Sequence, residues 1–242
     1  MKLFKARASR CGDAMTGSKE KSDPLGATCR TYLEAAYIAA RWGRHKDFTN
    51  KYIDKGLGVE EDAITLYSRY MKMYFTKNQD DFEDDYFTGH PDLFRMDGAR
   101  VDEVIDIKSS WDLHTFYKSR KDLNQKYWWQ LQVYMHLVGA KKARLVYCLI
   151  DTPQKLIDQA VRYAVNDGAT MSEELIEVVR KNMTFNDMPI RNRVVEYQFE
   201  FEPKCIVDAR TKIDLMRKAF VEMWEFDDDE IPGLRRSVGM VE

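Results

Sequence analysis

The fold is decided by residues 86–110, which read YFTGHPDLFRMDGARVDEVIDIKSS. Two apolar runs in this stretch predict two adjacent strands. Side chains alternate along a strand, so Asp106 and Lys108 project from one face while Ile107 points to the opposite, buried face. Asp92 lies in a tight turn at the end of one apolar run. Two carboxylates and one ammonium group are therefore expected to converge where the two strands meet.

This set of groups indicates metal-assisted chemistry. Carboxylates together with a backbone carbonyl are hard oxygen ligands, the kind that Mg²⁺ or Mn²⁺ prefers. A lysine beside them can hold or polarise a water molecule, and it balances part of the negative charge. Such an arrangement is suited to metal-assisted attack on a phosphodiester.

The Asp-x-Lys triplet alone would be weak, because the chain is 32% charged and such a triplet on an edge strand is usually a solvated face. Here Gly-x-Pro-Asp precedes it, and a helix bearing a glutamate and a helix bearing a glutamine flank the pair. Together these features resemble the PD-(D/E)xK nuclease superfamily, whose pattern matches Pro91-Asp92 and then Asp106-Ile107-Lys108. The resemblance implies that Asp92, Asp106 and the carbonyl of Ile107 bind Mg²⁺ or Mn²⁺, and that Lys108 positions or activates the attacking water.

A glutamate early in the helix predicted at residues 57–77 extends the pattern. Acidic residues in a first helical turn normally compensate the helix dipole, and that explanation covers most of them. The superfamily usually has a Gly-x-x-x-Glu-x-x-Ala type pattern there, and Glu60 fits it with Gly56 and Ala63, while Glu61 is the alternative. The resemblance implies that Glu60 joins the metal site directly or through water.

The helix predicted at residues 125–138 carries the fourth feature. Tyr127, Gln130 and Tyr134 lie on one face of this helix at helical spacing. They match a family pattern of Tyr-x-x-Gln followed by Leu-x-x-Tyr. In relatives this glutamine orients the active-site lysine or the DNA near the scissile phosphate. Without the resemblance, Gln130 would be interpreted as a satisfied amide in a core helix.

The N-terminal residues include candidate DNA contacts. Within the superfamily, the chain is most similar to lambda-type and YqaJ-like phage recombination exonucleases, in which an Ala-Ser near the N-terminus opens the nuclease domain. The resemblance implies that Ser9, Arg7 and Arg10 help to hold the phosphate of a DNA end. A plain basic terminus is the alternative.

A second group of candidate DNA contacts follows the signature. Lys118 and Lys121 lie close in sequence to Tyr127 and other aromatic residues. Ammonium groups can track phosphates and aromatic rings can stack on bases at a frayed end. A solvated helix with core-facing aromatic residues is the competing interpretation.

Composition indicates a globular enzyme. The 242 residues are 44% hydrophobic, and the formal net charge of −2 gives no overall basic field, so any DNA contact must come from local patches. The four cysteines lie far apart without a Cys-x-x-Cys pair, which argues against a zinc or iron–sulfur site. No stretch approaches the roughly 20 apolar residues of a membrane helix. We expect a cytoplasmic protein of a bacterium or phage-infected cell, without membrane contact.

Periodicity and turn residues predict the remaining elements. Residues 1–28 are expected to be irregular, residues 78–85 to form a solvated acidic loop, and Asp97-Gly98 to form a hairpin turn. Asp102 and Glu103 are expected to face solvent. The short strand needed before Tyr86 is assigned to residues 72–76. Further helices are predicted at 28–42, 154–166, 172–182 and 204–225, and further strands at 141–151 and 193–201.

These elements predict an α/β (α+β) fold with a restriction-endonuclease-like core. A central mixed sheet is flanked by helices, and additional helices and a strand follow towards the C-terminus. We interpret residues 1–242 as a single nuclease domain with its catalytic core at about 28–151 and a C-terminal elaboration at 152–242.

The resemblance implies a metal-dependent DNA exonuclease that resects duplex ends from the 5′ terminus and hands the 3′ strand to a single-strand annealing protein. Relatives often form ring-shaped trimers around DNA. Two alternatives stay open at this point. One is a Cas4- or RecB-like nuclease, or a structure-specific endonuclease, on the same core; the other is a non-catalytic DNA-binding module.

Overall fold

The computed structural model describes residues 3–18, 23–45 and 51–229. Its elements follow the chain in this order: β1 (Ala6–Arg7), α1 (Ala8–Ala14), α2 (Ala27–Trp42), α3 (Lys51–Gly58), α4 (Glu60–Met71), β2 (Phe82–Glu83), β3 (Phe87–Gly89), β4 (Leu93–Asp97), β5 (Arg100–Ser110), α5 (Leu113–Ser119), α6 (Gln125–Val138), β6 (Lys142–Leu149), α7 (Gln154–Asn166), α8 (Glu173–Met183), a 3-10 helix (Ile190–Asn192), β7 (Val194–Glu200) and α9 (Pro203–Asp229).

The central sheet is mixed and has the strand order β4-β5-β6-β7. β4 and β5 form the predicted antiparallel hairpin, in which Asp97 pairs with Arg100 and Gly98 has a positive φ of 60°. A positive φ is readily adopted by glycine, so this residue suits the tight turn. β5 and β6 run parallel, and α5 and α6 make the crossover that parallel neighbours require.

The two faces of β5 are buried against different helices. Val104 packs into the larger hydrophobic core, which contains Leu131 of α6, whereas Ile105 packs into a smaller core with Ala63 of α4. Asp106 follows Val104 on the α6 side because side chains alternate along the strand. The face of β5 that carries Asp106 is therefore covered by α6 and does not point into bulk solvent.

A second sheet lies beside the central one, and its strands show that two predictions were wrong. It has the strand order β1-β3-β2. The strand assigned to residues 72–76 is wrong, because the strands before β4 are β2, inside the predicted acidic loop, and β3. The prediction that residues 1–28 are irregular is also wrong, since β1 pairs in parallel with β3 and α1 follows it directly.

The helix predicted at residues 57–77 is shorter in the structure, where α4 covers most of it and only residues 57 and 58 belong to α3. α3 ends at Gly58 and α4 begins at Glu60, with Val59 in a non-helical conformation between them. α4 ends at Met71 because Lys72 adopts a left-handed conformation with φ of 54°, and the N–H groups that follow bond to carbonyls of the last turn.

The C-terminal part of the chain completes the same sheet and the same core. β7 pairs antiparallel with β6, and α9 packs against the N-terminal segment. Arg217 Nε donates a hydrogen bond of 2.9 Å to the carbonyl of Phe4, and the rings of Phe4 and Phe220 lie 5.6 Å apart. The far end of the chain thus holds its beginning in place.

The arrangement confirms the predicted fold class, a mixed sheet flanked by helices on both faces with a C-terminal strand and helices. Within the described ranges, every helix is too short or too polar to cross a lipid bilayer.

Candidate active site

Asp92 lies in the bend between β3 and β4, beside the middle of β5. Its Oδ2 accepts a hydrogen bond of 2.7 Å from the backbone N–H of Ile107. Burial, together with the nearby Asp106 carboxylate, raises the pKa of Asp92 to about 7. Lys108 and the Ile107 N–H oppose this shift without cancelling it. Ionising Asp92 beside Asp106 is therefore unfavourable unless a further cation is bound.

The carbonyl of Ile107 points to the same side as Asp92. In a strand, the N–H and C=O of one residue are directed towards the same neighbour, and the Ile107 N–H is bonded to Asp92. Pairing between β4 and β5 ends at Leu93 and Ile105, so β4 does not extend to Ile107. The predicted carbonyl ligand is thus directed towards the carboxylate with which it would share a metal.

Asp106 and Lys108 form the centre of the site. Asp106 is only 1% exposed, and its Oδ2 lies 2.7 Å from Lys108 Nζ. The Lys108 ammonium also lies 5.1 Å from the centre of the Tyr127 ring, at cation–π distance. Burial lowers the pKa of Lys108, but the Asp106 and Asp92 carboxylates outweigh it and raise that pKa above its usual value. Lys108 is therefore an ammonium donor.

Gln130 connects the site to its surroundings. Its buried Nε2 donates to Asp106 Oδ1 at 3.0 Å and to the Tyr134 hydroxyl at 2.8 Å. The Tyr134 hydroxyl in turn donates to the carbonyl of His90 at 3.1 Å. Gly89 allows this approach, because a Cβ there would lie 2.9 Å from the Tyr134 ring. In this structure Gln130 contacts the carboxylate of Asp106 rather than Lys108.

Glu60 opens α4, as predicted, but its contact is with a lysine. Glu60 Oε2 lies 2.7 Å from Lys77 Nζ, and each side chain is 28% exposed. The hydrogen bond that Lys77 donates to Glu60 is the main cause of the raised pKa of Lys77, and Asp92 adds to that shift. Glu60 in turn adds to the raised pKa of Asp92. The Glu60–Lys77 pair therefore lies beside Asp92.

The oxygen donors suit a hard divalent cation. Asp106 Oδ2 is buried and, across the described ranges, has no hydrogen-bond partner besides its contact with Lys108. Together with Asp92 and the Ile107 carbonyl it forms the set that Mg²⁺ or Mn²⁺ prefers. The described residues contain no cluster of three or more His, Cys, Asp or Glu side chains spaced to hold a metal ion. Glu60 is paired with Lys77 and does not form such a cluster with the two aspartates.

A cleft of about 470 Å³ adjoins this site. Its lining includes Arg7, Ser9, Thr88, Gly89, His90 and Tyr134. Tyr134 belongs both to the cleft and to the hydrogen-bond chain through Gln130 to Asp106. The cleft is thus connected to Asp106 through Tyr134 and Gln130, and its lining includes the predicted contacts Arg7 and Ser9 together with the acidic side chain of Asp81.

Arg10, the third predicted contact of the N-terminal group, lies elsewhere. Its Nε is 2.5 Å from Asp13, and its guanidinium lies 4.7 Å from the centre of the Tyr32 ring. The contact with Asp13 lies within α1, whereas the contact with Tyr32 joins α1 to α2, and Arg10 is not among the residues that line the cleft.

The remaining predicted DNA contacts lie at different depths. Tyr127 is half-buried, with its ring over Lys108. Lys118 and Lys121 are exposed at the end of α5. The structure therefore gives Tyr127 a contact with the site, and gives the two lysines a solvent-facing position.

Two residues near the site were missed by the sequence reasoning. Lys77 and Asn78 fall in a polar connection without periodicity, where nothing in the sequence distinguishes them from solvated loop residues. Lys77 pairs with Glu60, and Asn78 is bonded to the backbone of Pro91 and Asp92. The only signal is their place in the chain between two motif residues.

Solved structures with the same fold are exonucleases by their descriptions. A phage-related exonuclease from Haemophilus somnus 129PT superposes with a TM-score of 0.73 at 22% identity, covering 93% of this chain and 97% of that one. An alkaline exonuclease, LHK-Exo, from Laribacter hongkongensis superposes with a TM-score of 0.62 at 16% identity, covering 93% and 92%. The same enzyme in complex with dAMP gives a TM-score of 0.63.

No protein-family model and no curated protein sequence matches the chain. At these identities the structural neighbours establish the fold. The predicted resemblance to phage-type exonucleases is confirmed as a likeness of fold.

Proposed function

We propose that this protein is a metal-dependent DNA exonuclease that hydrolyses phosphodiester bonds from the ends of duplex DNA. The observation that carries the proposal is the convergence of Asp92, Asp106 and Lys108, which Gln130 and Tyr134 connect to a cleft lined in part by Arg7 and Ser9. The fold shared with a phage-related and an alkaline exonuclease supports the same reading.

The residues that would hold the metal are Asp92, Asp106 and the carbonyl of Ile107, with Glu60 assisting. Bound there, Mg²⁺ or Mn²⁺ would supply positive charge for the scissile phosphate and lower the pKa of a water molecule. Two features of the chain favour binding of such a cation. The pKa of Asp92 is raised, and Asp106 Oδ2 is buried and, among the described residues, has no hydrogen-bond partner besides its contact with Lys108. Gln130 fixes the Asp106 carboxylate by a hydrogen bond to the other oxygen.

Lys108 is proposed to orient the attacking water or a phosphate oxygen. Its raised pKa keeps it an ammonium, so it donates hydrogen bonds and does not accept a proton in this state. The Lys108 ammonium lies 2.7 Å from Asp106 Oδ2, so its positive charge is next to the carboxylate that would bind the metal. Charge aimed where the transition state becomes anionic is the kind of stabilisation that accelerates phosphoryl chemistry.

The cleft next to the site is proposed to receive the terminal phosphate of the DNA. Arg7 supplies a guanidinium and Ser9 a hydroxyl, both suited to phosphate oxygens. Tyr127 would contact DNA near the scissile bond, and Lys118 and Lys121 would track the backbone further away. A solved complex of LHK-Exo with dAMP, a mononucleotide, is consistent with stepwise removal of nucleotides in that neighbour.

Cleavage from 5′ ends, transfer of the 3′ strand to a single-strand annealing protein, a ring-shaped trimer and a cytoplasmic location complete the proposal. These rest on the resemblance alone. Arg10 is assigned to packing of α1 through Asp13 and Tyr32 rather than to DNA.

The test is digestion of a linear duplex labelled separately at its 5′ and 3′ ends, with Mg²⁺, with Mn²⁺ and with EDTA. Stepwise loss of the 5′ label that requires metal and disappears in Lys108→Ala would support the proposal. Covalently closed circular duplex is the matched control substrate. Cutting of closed circles would favour the endonuclease alternative. DNA binding without cleavage in either metal would favour the non-catalytic module.

A further inference from the structure

Asn78 lies in the polar connection between α4 and β2, yet it is only 8% exposed. Its backbone N–H donates a hydrogen bond of 2.8 Å to the carbonyl of Asp92. Its side-chain Nδ2 donates to the carbonyl of Pro91 at 3.0 Å and to that of Asp80 at 2.8 Å. Asn78 therefore holds two consecutive carbonyls of the bend that carries Asp92.

The other end of the amide is also used. Asn78 Oδ1 accepts a hydrogen bond of 3.1 Å from the backbone N–H of Asp80, which closes an Asx turn in the connection. Every polar group of Asn78 except its backbone carbonyl oxygen is thus hydrogen-bonded, either within the loop or to the bend that carries Asp92. Buried amides bonded at both ends have one orientation, so the loop and the bend are fixed to each other.

The bend needs this support because it lies outside the sheet. Asp92 precedes β4, whose pairing with β5 begins at Leu93, and Pro91 has no backbone N–H to donate. The Asp92 carboxylate contacts β5 through the Ile107 N–H, and Asn78 fixes the backbone from which that carboxylate projects. The preceding residue, Lys77, pairs with Glu60 at 2.7 Å.

We infer that Asn78 is a positioning residue, which holds the Asp92 carboxylate in the orientation needed to bind a divalent cation. The inference rests on the proposed function, since it concerns the metal site of the same centre. Residues that orient metal ligands typically change metal affinity by about 10- to 100-fold when they are removed. Asn78→Ala is expected to weaken metal binding by about 10-fold or more.

The experiment measures Mn²⁺ binding without DNA, by electron paramagnetic resonance of free Mn²⁺, at a temperature where circular dichroism shows each protein to be folded. Wild type is compared with Asn78→Ala and with Asn78→Ser, a milder change whose hydroxyl can still accept from Asp80 but does not reach Pro91. Asp92→Asn establishes that the measured binding occurs at this site. Asn186→Ala is the control, because Asn186 is an exposed loop asparagine bonded at both ends of its amide, to Asp151 and Arg193 and not to the bend that carries Asp92.

Weaker Mn²⁺ binding in Asn78→Ala and Asn78→Ser, with Asn186→Ala like wild type, would support the inference. If Asn78→Ala does not fold, Asn78→Ser alone decides. Wild-type affinity in a folded Asn78 variant, even one with a lowered unfolding temperature, would overturn it and leave a purely structural role. Mn²⁺ binding by wild type that survives Asp92→Asn, or no binding at all, would overturn the proposed metal site as well, so the two failures can be told apart.

Discussion

Two buried acids on β5, Glu103 and Asp106, lie three residues apart and on opposite faces of the strand. Glu103 is 3% exposed and faces the α4 side, where Arg144 contacts it through two nitrogens at 3.1 Å. Arg144 also lies 2.7 Å from Glu196, which accepts a further hydrogen bond from Tyr67. On this face, both carboxylates of the cluster contact a guanidinium.

The α6 side is balanced differently. Asp106 has Lys108 at 2.7 Å, while Asp92 has as its nearest donor the uncharged backbone N–H of Ile107. Two carboxylates therefore share one ammonium, and the pKa of Asp92 rises to about 7 through burial and the Asp106 charge. The comparison teaches that burial of an acid does not mark a functional site. The difference between the two faces is that the Asp92 and Asp106 carboxylates share one ammonium group, so this pair gains from binding a cation.

The largest effect is expected from a substitution on the α6 side that removes the charge of Asp92. In Asp92→Asn the amide oxygen can still accept from Ile107, but the charge for the metal is lost. We expect the exonuclease rate to fall by about 10²- to 10³-fold or more, measured as turnover of labelled linear duplex at saturating Mg²⁺. A rate within about 10-fold of wild type would remove Asp92 from the catalytic assignment.

The second prediction breaks the α4 face. Arg144→Met removes the guanidinium shared by Glu103 and Glu196 and leaves the buried Glu103, among the described residues, only its contact with Arg95 at 3.4 Å. Removing one partner of a buried ion pair costs about 3–5 kcal/mol of the free energy of unfolding. Chemical denaturation measures this loss. Arg30→Met is the control, because the Arg30–Asp23 pair is partly exposed and worth about 0–1 kcal/mol.

Turnover by folded Arg144→Met is expected to stay within about 3-fold of wild type, in contrast to Asp92→Asn. Equal losses of stability in the Arg144 and Arg30 variants would show that the α4-side cluster is not the structural counterpart of the site.

The smallest expected effect sharpens the contrast through pH. The pKa of Asp92 rises from 3.8 to about 7 on folding, so the folded, metal-free protein binds a proton that the unfolded chain releases. Its contribution to stability is fully present below about pH 4 and is lost as the pH rises to about 7. Denaturation in EDTA should therefore show Asp92→Asn becoming more stable than wild type by roughly 1 to 4 kcal/mol over this range. A difference that does not vary with pH would contradict the charge imbalance.

The sequence predicted the centre of the fold well because its signals are local. Alternation along β5, the Asp97-Gly98 turn and the helical spacing of α6 each act over a few residues. Asp106 and Lys108 share a face for the same reason. Their approach to Asp92 follows from the hairpin, which brings adjacent strands together.

What the sequence could not predict depends on contacts between distant segments. Glu103 was expected to face solvent, and that is wrong, because Arg144 on β6 makes its burial tolerable. β1 is two residues long and exists by pairing with β3, about 80 residues away. Asn78 gives no periodic signal, since its bonds to Pro91 and Asp92 follow from loop geometry.

The grip of α9 on the N-terminal segment has a consequence for the order in which the protein matures. Asp92, Asp106, Lys108 and Gln130 come from the middle of the chain, and their contacts can form once β6 has been synthesised. The cleft wall at Arg7 leaves the ribosome first, but the Phe4 contacts with Arg217 and Phe220 that anchor its segment are made last. In a growing chain every residue that lines the cleft has been made once α6 is complete, and α9 adds the last support for the wall at Arg7.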